Sequence, residues 1–219
     1  MPYALMWVRA RTSGTELSLG DIFGLRSSNV NVGRIVDCAV VLAQVGAVVT
    51  AERLARHDRE GGNLEDVVRG MCLARTADVA LTFEQACEID LAGHGVLGAV
   101  TSVVNARDIY LNDPETDEER IVVECSDDVQ LELWVRMTVR TDLEHLVGGE
   151  GPEELSVRVA EAVVQEASKV GHESIQDNPG ELAERVRRLH LDREAALTVE
   201  SVDIVDVRRK GAGYPAGGG

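Results

Sequence analysis

The stretch VQLELWVRMTVR at residues 129–140 decides the fold of this protein, because every second residue in it is apolar. Such alternation points every second side chain to one face, which is typical of a strand with one buried side. A glycine-rich cluster follows, LVGGEGP at 146–152, and its proline suits a first helical position. Apolar residues then recur at helical spacing before Gly171, at Leu155, Val159, Val163, Ala167 and Val170. The run predicts a strand, a glycine hinge and an amphipathic helix, and no catalytic side chain is predicted in it.

The rest of the second half predicts more sheet and helix. Ile121–Glu124 is expected to pair with the alternating strand as a hairpin, through the turn Ser126–Asp128. Asn178–Pro179 opens a further helix. A last strand follows around Leu197–Ile204, and its apolar phase slips at Glu200–Ser201, which indicates a β-bulge.

The first half is predicted to be mainly helical. Its helices are expected over Val32–Val45, from the cap Thr50 to Arg56, after the cap Asn63, from the capping box Thr82–Gln85 to Gly93, and over Val96–Val104. Residues Thr12–Arg26 place several apolar residues between glycines and predict a strand followed by a turn.

Composition limits the class of protein. The 219 residues are 44% hydrophobic and 27% charged, the balance of a soluble globular chain with one large or two small domains. The net charge of −16 and the 3% aromatic content argue against nucleic acid as a partner, because phosphates are repelled and few rings can stack on bases.

No membrane-spanning or secreted segment is predicted. The apolar residues Pro2–Val8 are too few for a signal peptide, and the longest apolar run, Ala39–Val49, falls short of the roughly 20 residues that a span needs. By itself, the chain is predicted to be soluble and cytoplasmic.

The residue types that carry chemistry form no recognisable catalytic, cofactor or metal site. The four cysteines lie far apart and predict buried free thiols in a reducing compartment: Cys38, Cys72, Cys87 and Cys125. Glu84 and Glu88 beside Cys87 are expected to raise its thiol pKa. The five histidines show no ligand spacing and are expected at the surface or its boundary: His57, His94, His145, His172 and His190. The cluster at 148–151 lacks the lysine of a phosphate loop, and the acidic residues between Asn112 and Asp128 lack calcium-loop spacing.

Four phrases of the sequence, in their order and spacing, resemble the bacterial flotillin-like family, a branch of the SPFH or Band 7 proteins. They are EGGNLEDVV at 60–68; FEQA at 83–86 with IDLAG at 89–93 and Val96-Leu97; Val139-Arg140 with LVGG at 146–149 and Arg158-Val159; and SVDIVDV at 201–207. The resemblance covers Trp7 to Arg209, nearly the whole chain.

The resemblance implies a non-enzymatic scaffold that oligomerises on the cytoplasmic face of bacterial membranes and organises microdomains. It implies self-association or association with related flotillin-like subunits, and an NfeD-type membrane protein as a further partner. The implied fold is α+β, a twisted and mostly antiparallel sheet packed with helices, plus a helical portion.

Compared with that family, we expect 1–11 to be a remnant of the membrane-proximal arm and 12–209 to be the SPFH unit. Within it, 31–105 is mainly helical and 107–209 holds the hairpin, helices and final strand; 210–219 is expected to be a disordered tail. The sequence is expected to lack most of the N-terminal membrane segment and the C-terminal coiled coil of these relatives.

The sequence is compatible with three functions. They are a membrane scaffold, a soluble binding module that pairs with full-length scaffold subunits or another protein, and a hydrolase whose Cys or Ser nucleophile lies in no recognisable motif. Met6, Trp7, Ile22 and Phe23 are expected either to form a membrane-facing apolar edge or to pack in the core.

Overall fold

The alternating stretch forms the central strand of an antiparallel sheet, as predicted. In the computed structural model, which describes residues 3–15, 17–27, 30–113 and 118–211, strand β3 spans Gln130–Thr141. Its five odd-numbered apolar side chains, from Leu131 to Val139, are fully buried. β1 (Arg107–Tyr110) and β2 (Ile121–Glu124) pair with opposite halves of β3, and β4 (Leu197–Arg209) also pairs with it.

The predicted bulge in the last strand is confirmed. Ser201 pairs with Thr138 and Val199 pairs with Val139, so Glu200 has no partner position on β3. A second register shift leaves out Val205, between Ile204 and Asp206, and the sequence did not predict it. Each bulge lets β4 keep its apolar side chains on the core face after an interruption of the alternation.

Among the described residues of the sheet-containing unit, Asn105–Gly219, three helices are present. They are α8 (Pro152–Ala167), α9 (His172–Asp177) and α10 (Pro179–Arg187). Helix α8 contacts β2 and α10 contacts β4, and the two helices also contact each other. Their apolar faces and the buried face of β3 form one hydrophobic cluster, so the unit is a sheet with helices on one face.

The other unit, Met1–Val104, is helical. Its helices are α1 (Tyr3–Thr12), α2 (Leu19–Ser27), α3 (Val32–Gln44), α4 (Ala51–Arg59), α5 (Leu64–Thr76), α6 (Phe83–Leu91) and α7 (Val96–Val104). The predicted caps are confirmed: Thr50 and Asn63 accept hydrogen bonds from Arg53 N–H and Asp66 N–H, and Thr82 forms the capping box with Gln85. Helix α5 packs against α3, α4, α6 and α7.

The strand predicted within Thr12–Arg26 is wrong, because α1 reaches Thr12 and α2 begins at Leu19. The reason is a capping interaction that the sequence reading missed. The Asp21 carboxylate accepts the Ser18 N–H at 2.8 Å, and the Ser18 hydroxyl accepts the Asp21 N–H at 3.1 Å. This reciprocal pair starts a helix, and Ile22 and Leu25 then bury one face at helical spacing.

Other differences are smaller. The short strand β1 and helix α9 were not predicted, and α8 ends at Ala167 instead of extending to Val170. Of the predicted tail 210–219, the part from 212 onward lies outside the described residues. The α+β fold with an antiparallel sheet is confirmed.

Among the described residues, no single helix has both the length and the apolar content to cross a membrane; the bent pair of α6 and α7, 113° apart, meets those two criteria only when taken together.

Two glycines in neighbouring helices give a test of how α5 and α7 pack. A Cβ at Gly70 would lie 2.5 Å from Val96 Cγ1, whereas a Cβ at Gly98 would meet no atom within 4 Å. Gly70→Ala is expected to destabilise the protein by about 1–3 kcal/mol through overpacking. Gly98→Ala, the control, is expected to stabilise it by about 0.5–1 kcal/mol. Urea unfolding measures both, and equal midpoints for the two variants would contradict the packing argument.

Candidate functional site

The first two signature phrases meet at a buried junction in the helical unit. His57 on α4 is 2% exposed, and its Nε2 lies 2.9 Å from Asp90 Oδ2 on α6. The same oxygen accepts the Asn63 N–H at the start of α5, at 2.6 Å. One carboxylate therefore joins three helices, and its charge lies at the positive N-terminal end of α5.

The expectation that every histidine lies at the surface or its boundary is wrong for His57. Because the Asp90 carboxylate accepts hydrogen bonds, the Nε2 of His57 is the donor. Gly62 allows this burial, since a Cβ there would lie 2.2 Å from the imidazole Nε2. The sequence contained one signal of this burial, the Gly-Gly pair before the cap Asn63. It did not reveal the partner of His57, which is Asp90, 33 residues away.

A second carboxylate makes a matching junction. Asp66 Oδ2, in the first turn of α5, accepts the Val96 N–H at 2.5 Å and the Leu97 N–H at 3.4 Å. These are the first amides of α7, which have no acceptor within their own helix. The phrases containing Asp66 and Val96-Leu97 are thus joined by a cap that acts between helices.

The third phrase closes the loop between β3 and α8. Gly148 has a φ of +86°, and a Cβ at Gly149 would lie 2.2 Å from the His145 carbonyl oxygen. Glu150 then forms a bridge with Ala195, and its side chain pairs with Arg158 on α8. The glycines are needed for this close approach, which supports a structural turn instead of a phosphate loop.

Two further histidines pair with aspartates in the sheet-containing unit. His172 donates from its backbone N–H and pairs through Nδ1, at 2.5 Å, with Asp127 in the β2–β3 turn. The His172 hydrogen bond lowers the pKa of Asp127 below its ordinary value. His145 pairs with Asp142 at 2.9 Å, and that hydrogen bond raises the pKa of His145.

The sheet face opposite the helices carries a ladder of ion pairs. Arg136 lies 3.4 Å from Asp108 on β1 and 3.3 Å from Asp203 on β4. Arg120 contacts Glu132 and Asp206, each at 3.6 Å, and its guanidinium lies 6.0 Å from the Trp134 ring centre. These pairs join β1, β3, β4 and the residue that precedes β2, and they carry opposite charges close together, so the face offers no uniform field for an ionic ligand.

The thiols are poorly suited to nucleophilic catalysis. Burial raises the pKa of Cys38 to about 11 and that of Cys87 to about 12, with Asp90 as a further cause for Cys87. Burial also raises the pKa of Cys72 and of Cys125. The expected direction at Cys87 is confirmed, but burial contributes more than the neighbouring glutamates. All four are free cysteines, two of them buried and two half-buried.

Within the described ranges, no group of three or more His, Cys, Asp or Glu side chains is arranged to hold a metal ion. A cavity of about 570 Å³ lies beside α3 and α5, and its lining contains both cations and anions: Arg34, Arg69, Asp37 and Glu65. That mixture selects no charged ligand. The sequence predictions of no catalytic, cofactor or metal residue stay predictions.

The four residues of the predicted apolar edge separate in the structure. Ile22 is fully buried, Trp7 is half-buried and Phe23 is 57% exposed; the Met6 side chain lies outside what the structure describes. Leu5 and Val8 on α1 are also exposed, at 58% and 47%. The edge therefore holds Phe23 but not Ile22.

Residues of the four phrases that resemble the flotillin-like family thus form internal junctions of the fold. The family model described as "Flotillin-like protein FloA" matches residues 1–212, and the chain belongs to this family, which confirms the resemblance to flotillin-like proteins.

Three relatives show how far the similarity extends. The chain is 33% identical over 205 residues to the flotillin-like protein FloA of Dictyoglomus turgidum, covering 92% of this chain and 60% of the relative. The FloA of Phocaeicola vulgatus is 33% identical over 204 residues, covering 92% and 59%. FloA 2 of Rhodopirellula baltica is 30% identical over 210 residues, covering 94% and 58%. The chain spans about three fifths of the length of these relatives.

The junction at Asp90 can be tested by removing its acceptor oxygens. Asp90→Ala leaves the buried His57 Nε2–H and the Asn63 N–H without this partner, so the free energy of unfolding is expected to fall by about 2–4 kcal/mol. Asp90→Asn keeps an acceptor oxygen and should lose less. Glu88→Ala, at an exposed position of the same helix, is the control and should stay within about 0.5 kcal/mol of the parent. Urea unfolding distinguishes these outcomes, and an unchanged Asp90→Ala would contradict the junction.

The Asp127–His172 pair predicts a specific acid dependence. Because the folded-state pKa of Asp127 is lowered, its contribution to stability is present above its ordinary value of 3.8 and is lost as the pH falls below it. Asp127→Asn should therefore lose less stability than the parent between pH 5 and pH 2.5, measured as Tm. The neighbouring variant Asp128→Asn is the control, and a parent-like loss in Asp127→Asn would refute the assignment.

Proposed function

We propose that this chain is a non-enzymatic flotillin-like scaffold that associates with a membrane surface and with other scaffold subunits. The observation that carries the proposal is the family match over residues 1–212. Within the wider SPFH or Band 7 group, such a scaffold organises membrane microdomains. Its partners would be a second copy, a related flotillin-like subunit or an NfeD-type membrane protein.

The use of the signature residues supports a structural role. Asp90 and Asp66 cap helices across the helical unit, and Gly149 lets the β3–α8 loop close. Each of these residues is occupied by an internal contact. The raised pKa of Cys87, about 12, argues against this thiol as the nucleophile of a hydrolase.

The first two helices supply a surface suited to lipid. Leu5, Val8 and Phe23 expose large apolar side chains. Transfer of an exposed apolar side chain from water into a lipid interface lowers the free energy. The charge distribution also favours the helical unit as the part that contacts a membrane. Met1–Val104 contains 12 acidic and 9 basic residues, whereas Asn105–Gly219 contains 26 and 13. An anionic membrane would therefore repel the sheet-containing unit much more strongly.

Membrane association is tested by flotation of the chain with vesicles of phosphatidylglycerol and phosphatidylethanolamine. Phe23→Glu and Leu5→Glu are expected to reduce the bound fraction severalfold, because a carboxylate at the lipid interface is costly. Val157→Glu, an equally exposed valine on α8, is the matched control and should bind like the parent. Equal binding of all three variants and the parent would defeat the lipid-surface proposal.

Self-association is measured separately, by analytical ultracentrifugation of the same chain. Concentration-dependent assembly supports the scaffold. A monomer that binds no vesicles but is retained by an immobilised full-length flotillin-like subunit would support the alternative, a soluble binding module. A monomer that binds neither would overturn both.

A further inference from the structure

The loop between β3 and α8 is held closed against the segment that leads into β4. Asp142 N–H donates to the Ala196 carbonyl at 3.0 Å, Glu150 N–H donates to the Glu194 carbonyl at 2.9 Å, and Ala196 N–H donates to the Glu150 carbonyl at 2.9 Å. We call the loop at residues 142–151 and the segment at 192–197 the clasp. Its three backbone hydrogen bonds lie at both ends of the loop and leave its middle to other contacts.

The first turn of the loop places one imidazole against a carboxylate. His145 Nδ1 lies 2.9 Å from Asp142 Oδ2, and Asp142 Oδ1 accepts the Glu144 N–H at 2.9 Å. The charges of Glu144 and of Glu194 on the facing segment are smaller causes that also raise the pKa of His145. The His145 side chain is 46% exposed, so protons exchange freely with the solvent. The position thus joins a titratable side chain to Asp142, the residue whose amide donates across the clasp.

The backbone around His145 leaves little freedom for another arrangement. Gly149 N–H donates to the His145 carbonyl at 2.9 Å, and a Cβ at Gly149 would lie 2.2 Å from that oxygen and 3.1 Å from Ala196 N. Gly148 provides the positive φ of the turn. The backbone that carries His145 and Asp142 is therefore fixed when the loop is closed.

We propose that His145 is a proton-dependent stabiliser of this clasp: the imidazolium holds the Asp142 carboxylate, the backbone N–H of Asp142 donates across the clasp to the Ala196 carbonyl, and loss of the His145 proton loosens that end of the loop. Without the positive charge, the Coulomb attraction between the imidazole and the Asp142 carboxylate is lost. Opening releases the Glu150 bridge and the turn that precedes α8. This inference concerns the loop alone and does not depend on the proposed scaffold function.

The direction of the pH effect follows from the two pKa shifts. The hydrogen bond to Asp142 raises the pKa of His145, so the contribution of the pair is fully present below the ordinary value of 6.5 and is lost as the pH rises through the folded-state value. Although partial burial acts to raise the pKa of Asp142, the hydrogen bonds from His145 and from Glu144 N–H lower it below its ordinary value. The clasp is consequently tight in mildly acidic solution and looser in alkaline solution.

Amide hydrogen exchange of the full chain tests the proposal. Protection factors, which correct for the intrinsic pH dependence of exchange, are measured for the amides of Asp142, Glu150 and Ala196 at pH 5.5 and pH 8.5. In the parent they should fall by about twofold to fivefold at the higher pH, the range that one exposed ion pair supports. In His145→Gln they should be low at both pH values, because glutamine takes up no proton.

Two controls keep the result specific. His94→Gln, at an exposed histidine of the helical unit, should keep the pH dependence of the parent, and the β3 amides should keep their protection throughout. In Asp142→Asn, the NMR titration midpoint of the His145 ring should move to lower pH. Protection that is independent of pH in the parent, a full pH dependence in His145→Gln, or an unmoved midpoint in Asp142→Asn would each overturn the proposal.

Discussion

Burial of one face of β3 is the constraint on which the sheet-containing unit depends. The strand pairs along its length with β4 and in halves with β1 and β2, and its odd-numbered apolar side chains, from Leu131 to Val139, are fully buried. A slip of one residue would turn those side chains to solvent, so the register is fixed by hydrophobic burial. The bulges at Glu200 and Val205 allow β4, whose apolar alternation is less regular, to follow that fixed register. The ion pairs on the other face then form between strands already in place.

Carboxylates at helix ends hold the helical unit together, as burial of one face of β3 holds the sheet-containing unit together. Asp90 and Asp66 each supply an acceptor to amides at the start of a helix distant in the sequence. A helix begins with amides that lack partners, and a carboxylate there satisfies both the hydrogen bond and the positive end of the dipole. The buried His57–Asp90 pair likewise links two helices, although histidine and aspartate are residue types that also serve in catalytic sites.

Much of the fold was predictable because its signals are local. Alternation predicted β3, helical spacing and caps predicted most helices, and the break in apolar phase predicted the bulge at Glu200. The elements that were not predicted have weaker local signals. The Ser18–Asp21 cap lies within Thr12–Arg26, for which a strand followed by a turn was predicted, and the four-residue β1 is too short to show a period. Burial of His57 was missed, because its partner Asp90 lies 33 residues away and only the fold brings the two side chains together.

The sequence by itself determined the class of the fold, its family and the absence of any recognisable catalytic motif, since these depend on periodicity, spacing and order along the chain. Tertiary structure decided which residues act together: Asp90 with His57 and Asn63, and Glu150 with Glu194 and Ala196. It also separated Phe23, which is exposed, from Ile22, which is buried. The physical reason is that hydrogen bonds, burial and Coulomb interactions depend on distances in space, which sequence separation does not give.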